Sequence, residues 1–187
     1  MIDPGGEGVF SVQCDQNTDG GGWTVIQQRL DGSVDFFKDW NEYKLGFGDI
    51  YGEYWLGNEN ILRLTRQHVC ELRVFLKMFD GSDHEAGYTS FTITGESDGY
   101  RLKLGAFLGQ GTDGMSHNNN KQFITKNNTF HGAWWYSGGS DPEANLNGKY
   151  YPAEITAKTN GINWFPWGNS LATLREAKMM IRRKKGK

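Results

Sequence analysis

Four histidines are the first place to look for chemistry, and their spacing gives none. His68, His84, His117 and His131 make no HExxH pair, no pair at metal-ligand spacing and no set with cysteines at zinc spacing. No GxSxG elbow presents a serine nucleophile. No glycine-rich run leads into a helix with the lysine that a phosphate loop needs. Asp and Glu are scattered, and single carboxylates without a positioned partner are solvated surface more often than acid–base pairs. Neither catalysis nor a cofactor is expected. Hydrogen bonding is what the side chains do offer. Asn127, Asn128, His131, Ser140, Asp141 and Asn145 crowd the loops around Phe130 and Tyr136. Together they supply donors and acceptors, as a hydroxyl-rich or N-acetylated ligand requires.

Those loops need a frame, and it is written upstream. Trp23-Thr24-Val25-Ile26 follows the glycine-rich turn Asp19–Gly22 and suits a pleated, half-buried strand. Asp31-Gly32-Ser33 ends that run. Asp35 stands where an N-cap belongs, and Phe36, Trp40 and Tyr43 follow at helical spacing, three rings on one face. Gly46 and Gly48 stop the helix. Ile61, Leu62 and Thr65 mark a short amphipathic helix from Asn58 to Thr65. Strands are expected at Glu71–Met78, at Tyr88–Thr94 with Phe91 and Ile93 inward, and at Tyr100–Leu104. Close turn signals between them suit antiparallel hairpins. Gly109 to Asn120 is polar throughout and reads as a long surface loop.

Composition bounds the answer. The 187 residues suffice for one domain with its own core. A formal net charge of -2, with no basic stripe before the last residues, does not favour a nucleic-acid partner. No apolar run approaches the ~20 residues that span a bilayer. The 7 tryptophans and 26 glycines against 4 prolines suggest a loop-rich protein with a core of large rings. Met1 to Gly6 is a turn without a signal peptide, so Met1 reads as an added start on a fragment of a longer secreted chain. Two cysteines, Cys14 and Cys70, leave two readings open: a bond between them, or two unpaired thiols with Cys70 buried beside a strand. The second is the expectation. Arg182 to Lys187 forms a basic tail, expected to be a frayed terminus. Asn127-Asn128-Thr129 is an N-glycosylation sequon, with Asn127 the acceptor.

Four blocks in the N-terminal half carry a family resemblance. Gly21–Val25, Arg29–Phe36, Trp40–Gly48 and Gly52–Glu59 stand in the order of the GGWTV, R-x-DGSVDF, W-x-x-Y-x-x-GFG and GE-[FY]-WLGNE blocks. Gly132-Ala133-Trp134-Trp135-Tyr136, Asn145-Leu146-Asn147-Gly148, Gly161-Ile162-Asn163-Trp164 and Met179-Met180-Ile181-Arg182 continue it to the C-terminus. The chain resembles the fibrinogen-like domain over nearly its whole length. The resemblance implies a single α+β domain over residues 1–187, its own beginning lying upstream of Met1. A central antiparallel sheet with short helices would carry a loop-rich C-terminal subdomain that bears the binding surface. It also implies that Cys14 pairs with a cysteine upstream of the chain.

The C-terminal third departs from that pattern. Relatives follow F-[ST]-T-K with an Asp-x-Asp pair that binds calcium. Here Phe123-Ile124-Thr125-Lys126 leads only to Asn127, Asn128, Thr129, Phe130 and His131. Neutral amide oxygens without carboxylates make a weak calcium site. The family's Cys-His step beside its ligand pocket is also missing, replaced by Ser137 to Pro142. Carried over by position are Phe130, just before the GAWWY block, then Ala133, Tyr136, Asn145 and Asn147. At least one of Trp134 and Trp135 is expected in the core, and Phe130 and Tyr136 at exposed loop edges. By resemblance to ficolins and tachylectins, the domain would bind acetylated sugars or microbial glycans in innate defence. By resemblance to angiopoietins, the same loops would dock on a cell-surface receptor. The resemblance leaves open whether the full-length protein is an oligomer.

Overall fold

A computed structural model describes residues 1–109, 111–125, 130–138, 144–156, 159–165 and 172–184. In chain order the regular elements are β1 (Gln13–Asp15), β2 (Trp23–Arg29), α1 (Trp40–Leu45), β3 (Phe47–Gly48), β4 (Tyr54–Trp55), α2 (Asn58–Thr65), β5 (Cys70–Lys77), β6 (Asp83–Ile93), β7 (Leu102–Leu104), β8 (Phe107–Leu108) and β9 (Glu176–Arg183). The strands form one sheet in the order β3-β4-β2-β9-β5-β6-β7, with β1 added on β2 and β8 on β6. Every pairing is antiparallel. The architecture is α+β.

The last strand closes the sheet. β9 lies between β2 and β5, with Leu72 opposite Ile181, Val74 opposite Met179 and Leu76 opposite Ala177. Along β5 burial alternates strictly: Cys70, Leu72, Val74 and Leu76 face the core, and the residues between them are half-buried. That is the period-2 signature of a strand with one wet face. β2 breaks the rule, because the ladder to β9 shifts between Val25 and Gln27. The extra residue of such a bulge re-aims side chains, and Val25, Ile26, Gln27 and Arg29 are all buried.

Several boundaries differ from the sequence expectation. α1 begins at Trp40 and is capped by Asp39, not Asp35. The Asp39 carboxylate accepts from the Glu42 amide at 2.9 Å, and the Glu42 carboxylate accepts from the Asp39 amide at 3.0 Å. Phe36 precedes the helix and still reaches the core, where the Tyr43 hydroxyl donates to its carbonyl at 2.6 Å. Trp40 is only half-buried; its Nε1 donates to Glu96 at 2.8 Å and its ring sits 5.5 Å from that of Tyr100. β6 starts at Asp83, since polar residues opposite β5 can join a ladder on a wet face. The next strand shrinks to Leu102–Leu104 because Tyr100 takes φ +45°, outside the β region. The tail is ordered further than expected: Arg182 donates to Glu71 at 2.9 Å, and the Lys184 amide donates to the Val69 carbonyl at 2.8 Å. Cys14 and Cys70 are both free thiols. Burial pushes the Cys70 thiol up to about 11, against the pull of Arg183.

The core is aromatic. Tyr43, Trp55, Phe91, Phe123, Trp134 and Trp135 form one chain of rings with neighbouring centroids 5.1–6.2 Å apart. Each such pair contributes about 0.5–1.5 kcal/mol beyond its burial. The β7 edge of the sheet is finished by a side chain. Asn119 Oδ1 accepts from the Leu104 amide at 2.9 Å, and its Nδ2 donates to the Leu104 carbonyl at 3.3 Å. Among the described residues no helix is long and apolar enough to cross a membrane.

Candidate functional site

Among its described residues the loop cluster between Thr112 and Phe165 has only isolated bridges, such as Ile124–Trp134 and Asn145–Asn163, so buried amides hold it. Gln27, re-aimed by the β2 bulge, donates to the Leu146 carbonyl at 2.9 Å and to Asn147 Oδ1 at 3.2 Å. Asn147 donates to the Ala133 carbonyl at 3.0 Å, and Asn145 to the Phe130 carbonyl at 2.8 Å. Asn118 donates to the Trp135 carbonyl at 3.0 Å and accepts from Trp134 Nε1 at 3.3 Å. Trp135 Nε1 donates to the Tyr100 carbonyl at 2.7 Å. Each of these donated bonds fixes one backbone carbonyl or ring N–H to one place, and together they specify one arrangement of the loops. Gly132 is part of it: φ is +106°, and a Cβ there would stand 2.1 Å from the Asn147 carbonyl oxygen.

These bonds turn most of the expected site inward. Phe130 and Tyr136 stack on each other at 4.8 Å with planes 22° apart, and Tyr136 is 3% exposed. Ala133 and Asn145 are also buried. The expected exposure of Phe130 and Tyr136 is therefore corrected: Asn145 and Asn147 capture carbonyls in this segment and draw it onto the core. His131 alone among the described candidates reaches solvent, with 28% of its side chain exposed. It holds φ +48°, stacks on Phe37 at 4.8 Å and lies with Nε2 3.6 Å from Asp35 Oδ1. Burial lowers its pKa, while Asp35 pulls the other way. Asn127, Asn128, Ser140 and Asp141 lie outside the described residues.

His131 opens onto a cavity of about 450 Å3 that also takes in Ser33, Asp35, Lys149 and Tyr150. One wall is the turn from Leu30 to Val34. Glu53 Oε1 accepts from the amides of Leu30, Asp31 and Gly32 at 2.7, 3.1 and 3.0 Å, and its Oε2 from Val34 at 3.1 Å. The other wall is Gly148 to Tyr150. Arg29 Nη1 donates to the carbonyls of Gly148 at 2.7 Å and Leu146 at 3.2 Å. The walls touch at Gly32, where a Cβ would meet the Tyr150 ring at 2.6 Å. Sequence reasoning missed Ser33, Asp35, Phe37, Lys149 and Tyr150. The DGS turn was visible, but it signalled only the end of a strand.

Further hollows include two more, the larger of which shares Arg29 with the His131 cavity. One of about 510 Å3 runs over the outer sheet face past Phe75, Lys77, Asp83 and Lys178. One of about 240 Å3 beside β3 is lined by Phe10, Leu45, Phe47 and Ile50. Among the described residues no group of three or more His, Cys, Asp or Glu could hold a metal ion. Asp113, the acidic residue of the neighbouring loop, is already engaged. Its carboxylate accepts from the Tyr88 hydroxyl at 2.6 Å, the amides of Met115 and Ser116, and the Ser116 hydroxyl.

Known proteins resemble this chain in sequence and fold. A family model described as "Fibrinogen beta and gamma chains, C-terminal globular domain" matches residues 1–184. Human ficolin-3 is 43% identical over 186 residues, covering 93% of this chain and 62% of that protein. Human angiopoietin-related protein 7 is 40% identical over 190 residues, covering 95% of this chain and 54% of that protein. The chain thus spans between half and two thirds of the length of these curated relatives. The fibrinogen-like globe domain of human ANGPTL6 superposes with a TM-score of 0.90 at 39% identity, covering 97% of this chain and 86% of that one. Lamprey fibrin D-dimer, complexed with the peptide ligand Gly-His-Arg-Pro-amide, superposes with a TM-score of 0.78 at 31% identity, covering 94% of this chain and 66% of that one.

Proposed function

The chain belongs to the fibrinogen C-terminal domain family, and on that premise we propose that it is a non-catalytic recognition module of a secreted protein. Its ligands are acetylated or hydroxyl-rich groups on microbial surface glycans, and its role is pattern recognition in innate defence. The observation that carries this reading is the cavity at His131. Lys149 donates, Asp35 accepts, and the Ser33 and Tyr150 hydroxyls do both, as a sugar with mixed donors and acceptors needs. Beside it the Phe37 ring is 40% exposed and stacked on His131, an apolar face for the sugar's C–H groups. Asn127 is the proposed acceptor of an N-linked glycan on the secreted form.

A glycan array tests the reading, with Phe37→Ala beside the parent. Acetylated sugars are expected to stand out, and the variant is expected to lose that signal while its melting temperature holds. A parent with no consistent sugar preference would overturn it. The second reading is docking on a cell-surface receptor. It draws support from the apolar residues that the fold leaves outside near β3: Tyr51 is 83% exposed, and Leu45 and Val9 are exposed as well. Receptor docking predicts that Tyr51→Ser, not Phe37→Ala, abolishes binding to cells.

A further inference from the structure

We propose that the buried Arg29–Glu53 pair is the positioning element of the recognition cavity, one ion contact that holds both of its walls. The inference rests on the recognition reading for its ligand, and on the bonds alone for its geometry. The two side chains are 1% and 0% exposed, with Arg29 Nε 3.5 Å from Glu53 Oε1. From that contact the bonds divide. Glu53 takes the amides of Leu30, Asp31, Gly32 and Val34 on one wall. Arg29 gives Nη1 to the carbonyls of Leu146 and Gly148 on the other, and its guanidinium lies 3.8 Å from the centroid of the Phe36 ring, which it covers.

A buried ion pair is a poor source of stability, because desolvation cancels most of its attraction and apolar packing does as well. Apolar side chains could not, however, bond four backbone N–H and two C=O groups. An unpaired buried charge is also costly, so neither partner can shift without the other following. The spacing of the Ser33–Asp35 side and the Lys149–Tyr150 side is therefore set from inside, alongside the direct contacts of Tyr150 with Gly32 and the Leu30 carbonyl. Neither Arg29 nor Glu53 needs to touch a ligand to set it.

The test is amide exchange in the full chain together with binding to albumin carrying N-acetylglucosamine. Glu53→Gln keeps the shape and removes the charge. Exchange at Leu30, Asp31, Gly32 and Val34 is expected to quicken about tenfold, as local opening becomes easier. The Lys149 amide, which donates to the Asn160 carbonyl and is no hydrogen-bond partner of Glu53, is expected to quicken with them. Arg29→Lys is expected to produce the mirror effect, loosening the Leu30–Val34 turn that Arg29 does not bond. Each variant is expected to weaken probe binding about tenfold, the effect of a misplaced wall. Variants that each loosen only their own wall would overturn the proposal, as would unchanged probe affinity with both walls loosened. If the parent binds no such probe, the recognition reading fails while the exchange result still decides the pair's role. Should Glu53→Gln not fold, Arg29→Lys takes the same measurements alone.

Discussion

The sheet and the loop cluster solve the same problem by different means. In the sheet, the antiparallel ladders pair the backbone, and side chains such as Leu72, Val74 and Met179 need only be apolar and alternate. Among the described residues of the cluster there are only isolated bridges, and the side-chain amides of Gln27, Asn118, Asn145 and Asn147 serve backbone groups one by one. Ladder pairing is generic, since any residue but proline supplies it. Amide pairing is particular: each bond needs one residue at one place. The sheet is therefore tolerant and the cluster is exacting. The cavity at His131 lies where the two meet.

Five tests would break or sharpen that contrast. The largest effect is expected from Trp135→Ala, which removes a ring shared by both regions and packed on Trp55, Phe91, Phe123 and Trp134. Loss of about 3–5 kcal/mol is expected in denaturant unfolding. Asn147→Ala follows at about 1–3 kcal/mol, the cost of leaving the Ala133 carbonyl unpaired and removing one of the two acceptors of the Gln27 amide. If it cost nothing, the amides would be ornament and the contrast would fail. Trp40→Ala should cost about 1–2 kcal/mol, as for a half-buried side chain. A loss as great as that of Trp135 would put its ring in the core. His131 has a folded pKa below the ordinary 6.5, mainly through burial. Its contribution to stability is thus full above the unfolded value and is lost as pH falls toward the folded one. His131→Gln should flatten that slope in melts between pH 7 and 5. The smallest effect is expected from chelator, which should leave the melting temperature unchanged. A rise at millimolar calcium would mean that oxygens other than those of Asp113 bind the ion.

The sheet was the legible part. The Asn58–Thr65 helix and the β5 strand follow from apolar spacing, which acts within a few residues. The family pattern named the fold for the same reason, because its blocks are strand and turn chemistry. The α1 start was legible too, in Asp39 and Glu42 at capping-box spacing, yet Asp35 resembled a cap equally well. Only the real cap has a glutamate three residues on, and Phe36 hides that by being buried outside the helix. The site was far less legible. Whether Tyr136 points out or in depends on Phe130, Asn145 and Gln27, and the Gln27 bond reaches across more than half the chain. No window of sequence contains that information. The cavity's true rim, Ser33 and Asp35 with Lys149 and Tyr150, is likewise made by two distant loops.

The Asn119 amide at the β7 edge has a consequence for behaviour in a crowd. An open strand edge is a template on which a second chain can lay its own backbone and start a fibre. Here the side chain fills the bonding positions of Leu104 that such a chain would use. At the opposite edge β3 is two residues long and ends at Gly48, too short to nucleate growth. At high concentration neither of these two edges would offer a template for a second chain.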